Sequence, residues 1–340
     1  MRHIVVLGNS VAGIKALEEI RQKDQESRLT VVACEDHLPF KRHLAADFIA
    51  KIIAEEEIYY RSNEFYKEKN INIVLGKRIV RVDTKKNHLL TEYKEHISFD
   101  VLIVTDAPQI KFPDIKGAHK TGVFTLRRLA DVKNIIAVLP LIETVAIEAD
   151  GLSGLTAAQA FRKRGKEVLL VNLKWPLAAA KQAGDNLKKL LEGNGVRLIH
   201  DNKIVEILGE GEVKAIRLKS GKVIAAQMVI LGEVNPNLRA FQESNLEMDL
   251  RIKVNESFRT NYENIYALDD ISRRSNEECC DDYEKSLLRL EHDGRIAGLS
   301  ILGETPFSQP YQRLNHFKIF DQTMSLENPF SVAVAEAENV

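Results

Sequence analysis

Only three cysteines occur in 340 residues, Cys34, Cys279 and Cys280, and no two of them form a C-x-x-C pair. That scarcity removes a C-x-x-C redox motif from consideration, and an odd count fits a reducing compartment. The adjacent pair sits in SNEECCDDY, where neighbouring carboxylates raise thiol pKa values and argue against a reactive thiolate. Two cysteines with no histidine beside them also make a poor zinc site, so no metal is expected. Cys34 closes an apolar run and reads as buried packing. A surplus of one charge sign is missing too. The net charge of −1 offers none of the basic excess that nucleic-acid binding uses. No apolar run approaches the roughly 20 residues of a membrane helix. The opening MRHIVVLG lacks the layout of a signal peptide. The expectation is a cytoplasmic protein with neither nucleic acid nor membrane as partner.

What is present is an ordinary globular composition, 44% hydrophobic and 29% charged, in a chain too long for one core. Near the start, VVLGNSVAGIKALEEI reads as strand 2–8, a tight turn and helix 12–23, followed by strand 28–34. Gly8, Ser10 and Gly13 stand at the three small positions of G-x-G-x-x-G, with Val11 and Ala12 between the last two. Small residues there let a pyrophosphate approach the backbone at a helix N-terminus carrying about half a positive charge. Glu35, after RLTVVAC, is placed to grip ribose hydroxyls. A second copy follows in VAIEADGLSGLTAAQAF, with Ala149, Gly151 and Gly154 in the same slots. Strand 144–148, helix 152–164, Gly165 and strand 167–172 repeat the first unit.

Each copy then continues in the same order. After the first come a polar, mostly helical stretch to residue 69, a hairpin in INIVLGKRIVRVDTKKNHLLTEY and a buried strand in FDVLIVTDAPQ (99–109). After a helix over 126–139, ended by Pro140, and the second copy come a helix over 180–192, another hairpin and a buried strand ending in VILG. This is an internal duplication of domain size. Read from the residues, the chain is α/β, with two Rossmann-like three-layer nucleotide-binding domains in tandem. A strand in NIYAL, a helix in EKSLLRLEHDGRIAGLSILG and a mixed segment from Glu304 close it.

At this point the chain resembles the FAD-dependent pyridine nucleotide-disulfide oxidoreductase superfamily, on the branch of rubredoxin reductases and the flavin domain of nitrite reductases. LGNSVAG carries the resemblance, as does EDHLPFKRHL, similar to E-x-x-x-P-Y-x-R-x-x-L. FDVLIVTDAPQ is similar to Y-D-x-L-I-x-A-T-G-A-x-P, and GVFTLRRLAD to the segment that crosses between domains. LGEVNPN and FRTNYENIYALDDIS continue it to about residue 302. The resemblance implies an FAD domain from 1–112 plus 240–302, an NAD(P)H domain at 113–239, and a reduced C-terminal appendage at 303–340. It implies that Gly8, Ser10 and Gly13 line the flavin pyrophosphate and that Glu35 binds the adenosine ribose. Arg42 would reach the nucleotide, Ile79 would offer its backbone to adenine, and Asp270 would hold the ribityl chain. Arg127, Thr105, Asp106 and Gly232 complete the set facing the flavin and nicotinamide, with Gly151, Gly154 and Asn172 on the NAD(P)H side. Plainer roles stay open: Glu35 as a surface acid, Arg42 as a solvated cation, Asp270 as a helix N-cap.

Departures from the pattern fall on nucleotide positions. T-G-A becomes Thr105-Asp106-Ala107, and G-D becomes Asp269-Asp270. The second fingerprint reads Ala149-Asp150-Gly151 behind Glu148; Thr156 replaces a glutamate, and Asn172 stands where an NAD-preferring enzyme has an acid. Lys174 beside it is as readily a solvated lysine as a 2′-phosphate ligand. A carboxylate about 4 Å from a phosphate costs on the order of 4 kcal/mol at an effective dielectric near 20, nearly a thousandfold in affinity. Whether Asp106 and Asp269 face the nucleotide is not written in the sequence. The implied function is an FAD-dependent NAD(P)H oxidoreductase that passes electrons to rubredoxin or another small redox acceptor without a redox disulfide. Two others stay open: a non-catalytic scaffold descended from such an enzyme, and an FAD protein fed by a protein donor. No residue is named as catalytic, and the oligomeric state is left open.

Overall fold

The computed structural model describes all residues except 106–109, 149–150, 174–180, 233–234, 237, 275–286, 305–315 and 326–340. The chain opens with β1 (His3–Leu7), α1 (Val11–Lys23) and β2 (Arg28–Val32). β1 and β2 pair in parallel, His3 against Arg28 through Leu7 against Val32, so α1 is the crossover that parallel pairing demands. Four of the five residues in each strand are buried, as expected where helices cover both faces of a parallel sheet. Short helices α2 (Ala45–Ile49), α3 (Glu55–Ile58) and α4 (Asn63–Glu68) lead to β3 (Ile71–Val74). The expected hairpin is a three-stranded antiparallel sheet of β4 (Ile79–Asp83), β5 (His88–Thr91) and β6 (His96–Ser98). Fully buried β7 (Val101–Val104) returns beside β1.

A two-residue strand β8 (Ile110–Lys111) and β9 (Val123–Phe124) precede α5 (Leu129–Val138), which starts three residues later than expected. The repeat then runs β10 (Thr144–Glu148), α6 (Gly151–Lys163), β11 (Glu167–Val171), α7 (Lys181–Gly193) and β12 (Val196–Ile199). A second three-stranded sheet, β13 (Ile204–Leu208), β14 (Ala215–Leu218) and β15 (Val223–Ala225), is followed by buried β16 (Met228–Leu231). β17 (Asn235–Pro236) pairs with β8, a small ribbon the sequence pattern does not announce. The last part holds β18 (Ile252–Val254), β19 (Ile265–Ala267), β20 (Ser272–Arg274), α8 (Leu287–Ile301) and the hairpin β21 (His316–Ile319) to β22 (Gln322–Ser325).

The two main sheets have one plan. The first is ordered β19-β7-β1-β2-β3 and the second β9-β16-β10-β11-β12, so four strands of the repeat hold equal places. The fifth differs in origin. β19 comes from far down the chain, whereas β9 comes from just before the second repeat. α8 lies against α1 so closely that a Cβ at Gly294 would sit 2.3 Å from the Ala12 carbonyl oxygen. The first sheet has its own core. Around the second sheet, Phe40, Ala45, Ala46, Ile49 and Ile58 of the early segment join the core formed with α5 and α6. The stretch from Phe40 to Ile58 therefore ties the halves together. Cys34, expected as buried packing, is only half-buried, because β2 ends two residues before it.

Candidate functional site

At the first turn, Gly8 carries the chain off β1 with φ +121° while its N–H donates to the Val32 carbonyl at 2.9 Å. Ser10, in extended backbone, caps α1 and accepts from the Ala12 N–H at 3.2 Å. A Cβ at Gly13 would lie 2.7 Å from Val6 Cγ1 and 2.9 Å from Thr105 Cγ2, so glycine here sets the close approach of α1 to the sheet. Thr105 itself is fully buried, its N–H on the Leu7 carbonyl. Val11 and Ala12 are buried in the first turn of the helix.

Two neighbours were missed by sequence reasoning. Asn9 is buried, and its side-chain amide donates to Glu35 Oε2 at 3.1 Å and to the His37 carbonyl at 2.8 Å. Asn9 Oδ1 and His37 Nε2 are buried without a hydrogen-bond partner. An orphaned acceptor beside a carboxylate is a donor-poor surface suited to a hydroxyl-bearing ligand. The signal was present in the sequence, as a polar residue inside the fingerprint and a histidine two residues past the acid.

The second cluster arrives on β19. Just beyond its end, Asp269 adopts φ +60°, the left-handed region that costs least for glycine. Its carboxylate turns inward: Ser10 Oγ donates to Asp269 Oδ2 at 2.6 Å, and the Asp270 N–H donates to Asp269 Oδ1 at 2.7 Å. Arg42 Nη1 stands 3.8 Å from that same Oδ2 and 3.3 Å from Asp270 Oδ2. Arg127 also donates to Asp270. Two guanidinium groups and two carboxylates thus share one partly buried cluster. The N-cap reading of Asp270 is corrected here, because the cap of its 3-10 turn is Leu268 and Asp270 lies inside the turn. Asp106 lies outside the described residues.

Between the two halves is a cavity of about 460 Å³. Ser10, Val11, Asp269 and Asp270 line one side, with Arg42 and Arg127. Leu152, Ser153, Thr156, Ala157 and Gly232 line the other, and leucines 287, 288 and 290 also reach it. Gly151 opens α6 with φ +63°, and Gly154 is buried behind it. The Thr156 hydroxyl bonds back to the Leu152 and Ser153 carbonyls, at 3.0 and 3.2 Å. The Gly232 N–H donates to the Glu148 carbonyl, while the Glu148 carboxylate accepts from the Ile204 N–H at 3.0 Å. Asn172, past the end of β11, takes φ +56°, a conformation asparagine tolerates better than most residues. Ala149, Asp150, Lys174, Cys279 and Cys280 lie outside the described residues. Ile79 is not among the lining residues. Neither is Glu35; Ile79 is buried at the start of β4, opposite Thr91, three residues after Gly76, whose N–H donates to the Glu35 carbonyl at 2.9 Å. Among the described residues no His, Cys, Asp and Glu group could hold a metal ion, and no helix is long and apolar enough to cross a membrane.

Known proteins are similar to this chain in sequence and in fold. The chain is 28% identical over 274 residues to a nitrite reductase [NAD(P)H] of Bacillus subtilis, covering 78% of this chain and 34% of that protein. It is 28% identical over 280 residues to a rubredoxin-NAD(+) reductase of Pseudomonas putida, covering 80% and 72%. This chain thus spans about a third of the first relative. Among solved structures, a ferredoxin reductase of Rhodopseudomonas palustris superposes with a TM-score of 0.82 at 21% identity, over 95% of this chain and 81% of that one. The profile of the pyridine nucleotide-disulphide oxidoreductases matches residues 2–284, from β1 through both sheets. The chain therefore belongs to the pyridine nucleotide-disulphide oxidoreductase family, whose members are oxidoreductases built on FAD and NAD(P)H.

Proposed function

We propose that this chain is an FAD-dependent NAD(P)H oxidoreductase that passes electrons from a nicotinamide cofactor through flavin to a small redox protein, without a redox disulfide. One observation carries the reading: a single cavity touches both nucleotide turns, Ser10 and Val11 on one side and Leu152, Ser153 and Thr156 on the other. A hydride donor and a hydride acceptor held at those two turns would have their reactive ends in the same space.

The first turn fits FAD in its backbone cradle, the close approach at Gly13 and the orphaned Asn9 Oδ1 beside Glu35. Bound there, FAD supplies two-electron acceptance from nicotinamide and one-electron release to an acceptor. The chain's own part is placement. Ser10 and the α1 N-terminus would face the pyrophosphate, Glu35 and Asn9 the ribose, and Arg42, Arg127 and Asp270 the chain leading to the flavin ring. Gly151, Gly154, Gly232 and Asn172 would face NAD(P)H. The same reading divides the chain into an FAD half (1–112 with 240–302), an NAD(P)H half (113–239) and an appendage (303–340). The pairing of β19 with β7 and the packing of α8 on α1 support that division. Rubredoxin, or a ferredoxin-like protein, is the class of acceptor, as in the names of the relatives.

The test is the visible spectrum of protein supplemented with FAD, followed by anaerobic NADH or NADPH. Bleaching of a protein-bound flavin band supports the reading. A flavin that binds but stays oxidised with both nucleotides would favour the second reading, an FAD protein fed by a protein donor, which Thr156 and Asn172 on the nicotinamide side motivate.

A further inference from the structure

The Asp269 carboxylate stands at the N-cap of α1, in the first of the two fingerprint turns. Two hydrogen-bond donors and one cation meet it: the capping hydroxyl of α1 at 2.6 Å, the Asp270 amide at 2.7 Å, and the Arg42 guanidinium at 3.8 Å. α1 has no acid of its own in its first turn, so Asp269 is the anion at the positive end of that helix. Its side chain is only 4% exposed, so the charge is held inside the turn and not in solvent. The left-handed backbone at Asp269 is what aims it there, at a place where glycine would carry no side chain at all.

We propose that Asp269 is an internal competitor for the FAD pyrophosphate, and that it makes the flavin of this chain a weakly held, exchangeable one. The inference rests on the proposed FAD site and specifies how that site behaves. Two anions cannot share the α1 N-terminus. FAD must displace the carboxylate from Ser10 before its pyrophosphate reaches the α1 N-terminus, and the displaced charge stays close by. A like charge at about 4 Å weakens binding on the order of a hundredfold to a thousandfold at the dielectric of a partly buried site. Ribose recognition by Glu35 and Asn9 is untouched, so specificity for the nucleotide is retained while its residence is shortened.

The experiment measures FAD affinity by quenching of flavin fluorescence, and retention through gel filtration, for the unmodified protein and two variants. Asp269→Gly removes the competitor and relieves the left-handed backbone. Asp269→Asn keeps the shape and the tolerance of positive φ but removes the charge. The unmodified protein is expected to lose FAD on the column. Asp269→Asn should tighten binding about tenfold or more, and Asp269→Gly about a hundredfold or more, with the flavin then co-eluting. Retention of stoichiometric FAD by the unmodified protein would overturn the inference and leave the FAD site standing. Equal, measurable affinity in all three proteins would do the same. Binding by none of them would remove both the inference and the site on which it rests.

Discussion

The two nucleotide turns are copies of one backbone plan that the rest of the chain treats differently. Both follow a parallel strand into a 13-residue helix, and both stand at the same place in their sheets. The first turn is met by a distant segment, since β19 completes the first sheet and delivers Asp269 and Asp270. The second sheet is completed by β9, and the chain just beyond β9 delivers Arg127. These two imported groups meet across the cleft in the Arg127–Asp270 pair. Duplication thus supplied the cradles, and the unduplicated edge strands supplied the charges that distinguish them. A repeat unit by itself is therefore a poor guide to what its turn binds.

Breaking that cross-cleft pair should have the largest effect on stability. Arg127→Ala deprives Asp270, with a side chain only 10% exposed, of its cross-cleft guanidinium, while Arg42 remains 3.3 Å away. A loss of about 2–3 kcal/mol is expected, somewhat less than for a fully buried pair because Arg42 remains. Chemical denaturation followed by two probes, one in each half, should then separate into two transitions.

Gly294→Ala strikes the first half alone. The new Cβ would meet the Ala12 carbonyl oxygen at 2.3 Å and push α8 off α1, at a cost of about 1–3 kcal/mol. Amide exchange should accelerate around α1 and β1 and stay unchanged around α6 and β10.

Ligand binding sharpens the comparison further. Glu35→Ala should weaken FAD by about 1–3 kcal/mol, the value of hydrogen bonds to a charged acceptor. Asn172→Ala, at the matching place of the second half, should change NADH affinity by less than about 0.5 kcal/mol. NADH itself should bind weakly, with NADPH tolerated no worse, because Asn172 offers ribose no carboxylate and Thr156 spends its hydroxyl on its own helix. Calorimetric titration that gives micromolar NADH affinity would contradict this.

The smallest effect on stability concerns the helix ends. α6 is followed by Gly165 at φ +72°, whereas α1 ends at Asp24, whose carboxylate accepts from the Ser27 hydroxyl and the Ser27 and Glu26 amides. Those bonds, the Ser27 hydroxyl foremost, hold the Asp24 carboxyl down at about 2. A depressed carboxyl stabilises the fold above its ordinary range and loses that contribution as pH falls toward about 2. Asp24→Ala should cost about 1 kcal/mol at neutral pH, and melting curves of the two proteins should converge on acidification.

What the sequence determined by itself is what short range determines. The apolar runs VVL, VLIV, VAI and MVIL, separated by amphipathic stretches, could only be buried parallel strands with crossover helices, because period and burial are properties of neighbouring residues. The fingerprints at Gly8–Gly13 and Gly151–Gly154 and the acid at Glu35 were legible for the same reason. Only the tertiary structure decided which edge strands complete the two sheets and that Asn9 and His37 stand beside Glu35 with unpartnered atoms. It also decided the direction of Asp269. That carboxylate is held by Ser10, 259 positions earlier, in a left-handed backbone that no local pattern of aspartates specifies. A side chain's direction is set by whatever donors surround it in space, and here Ser10 and Arg42 come from far earlier in the chain.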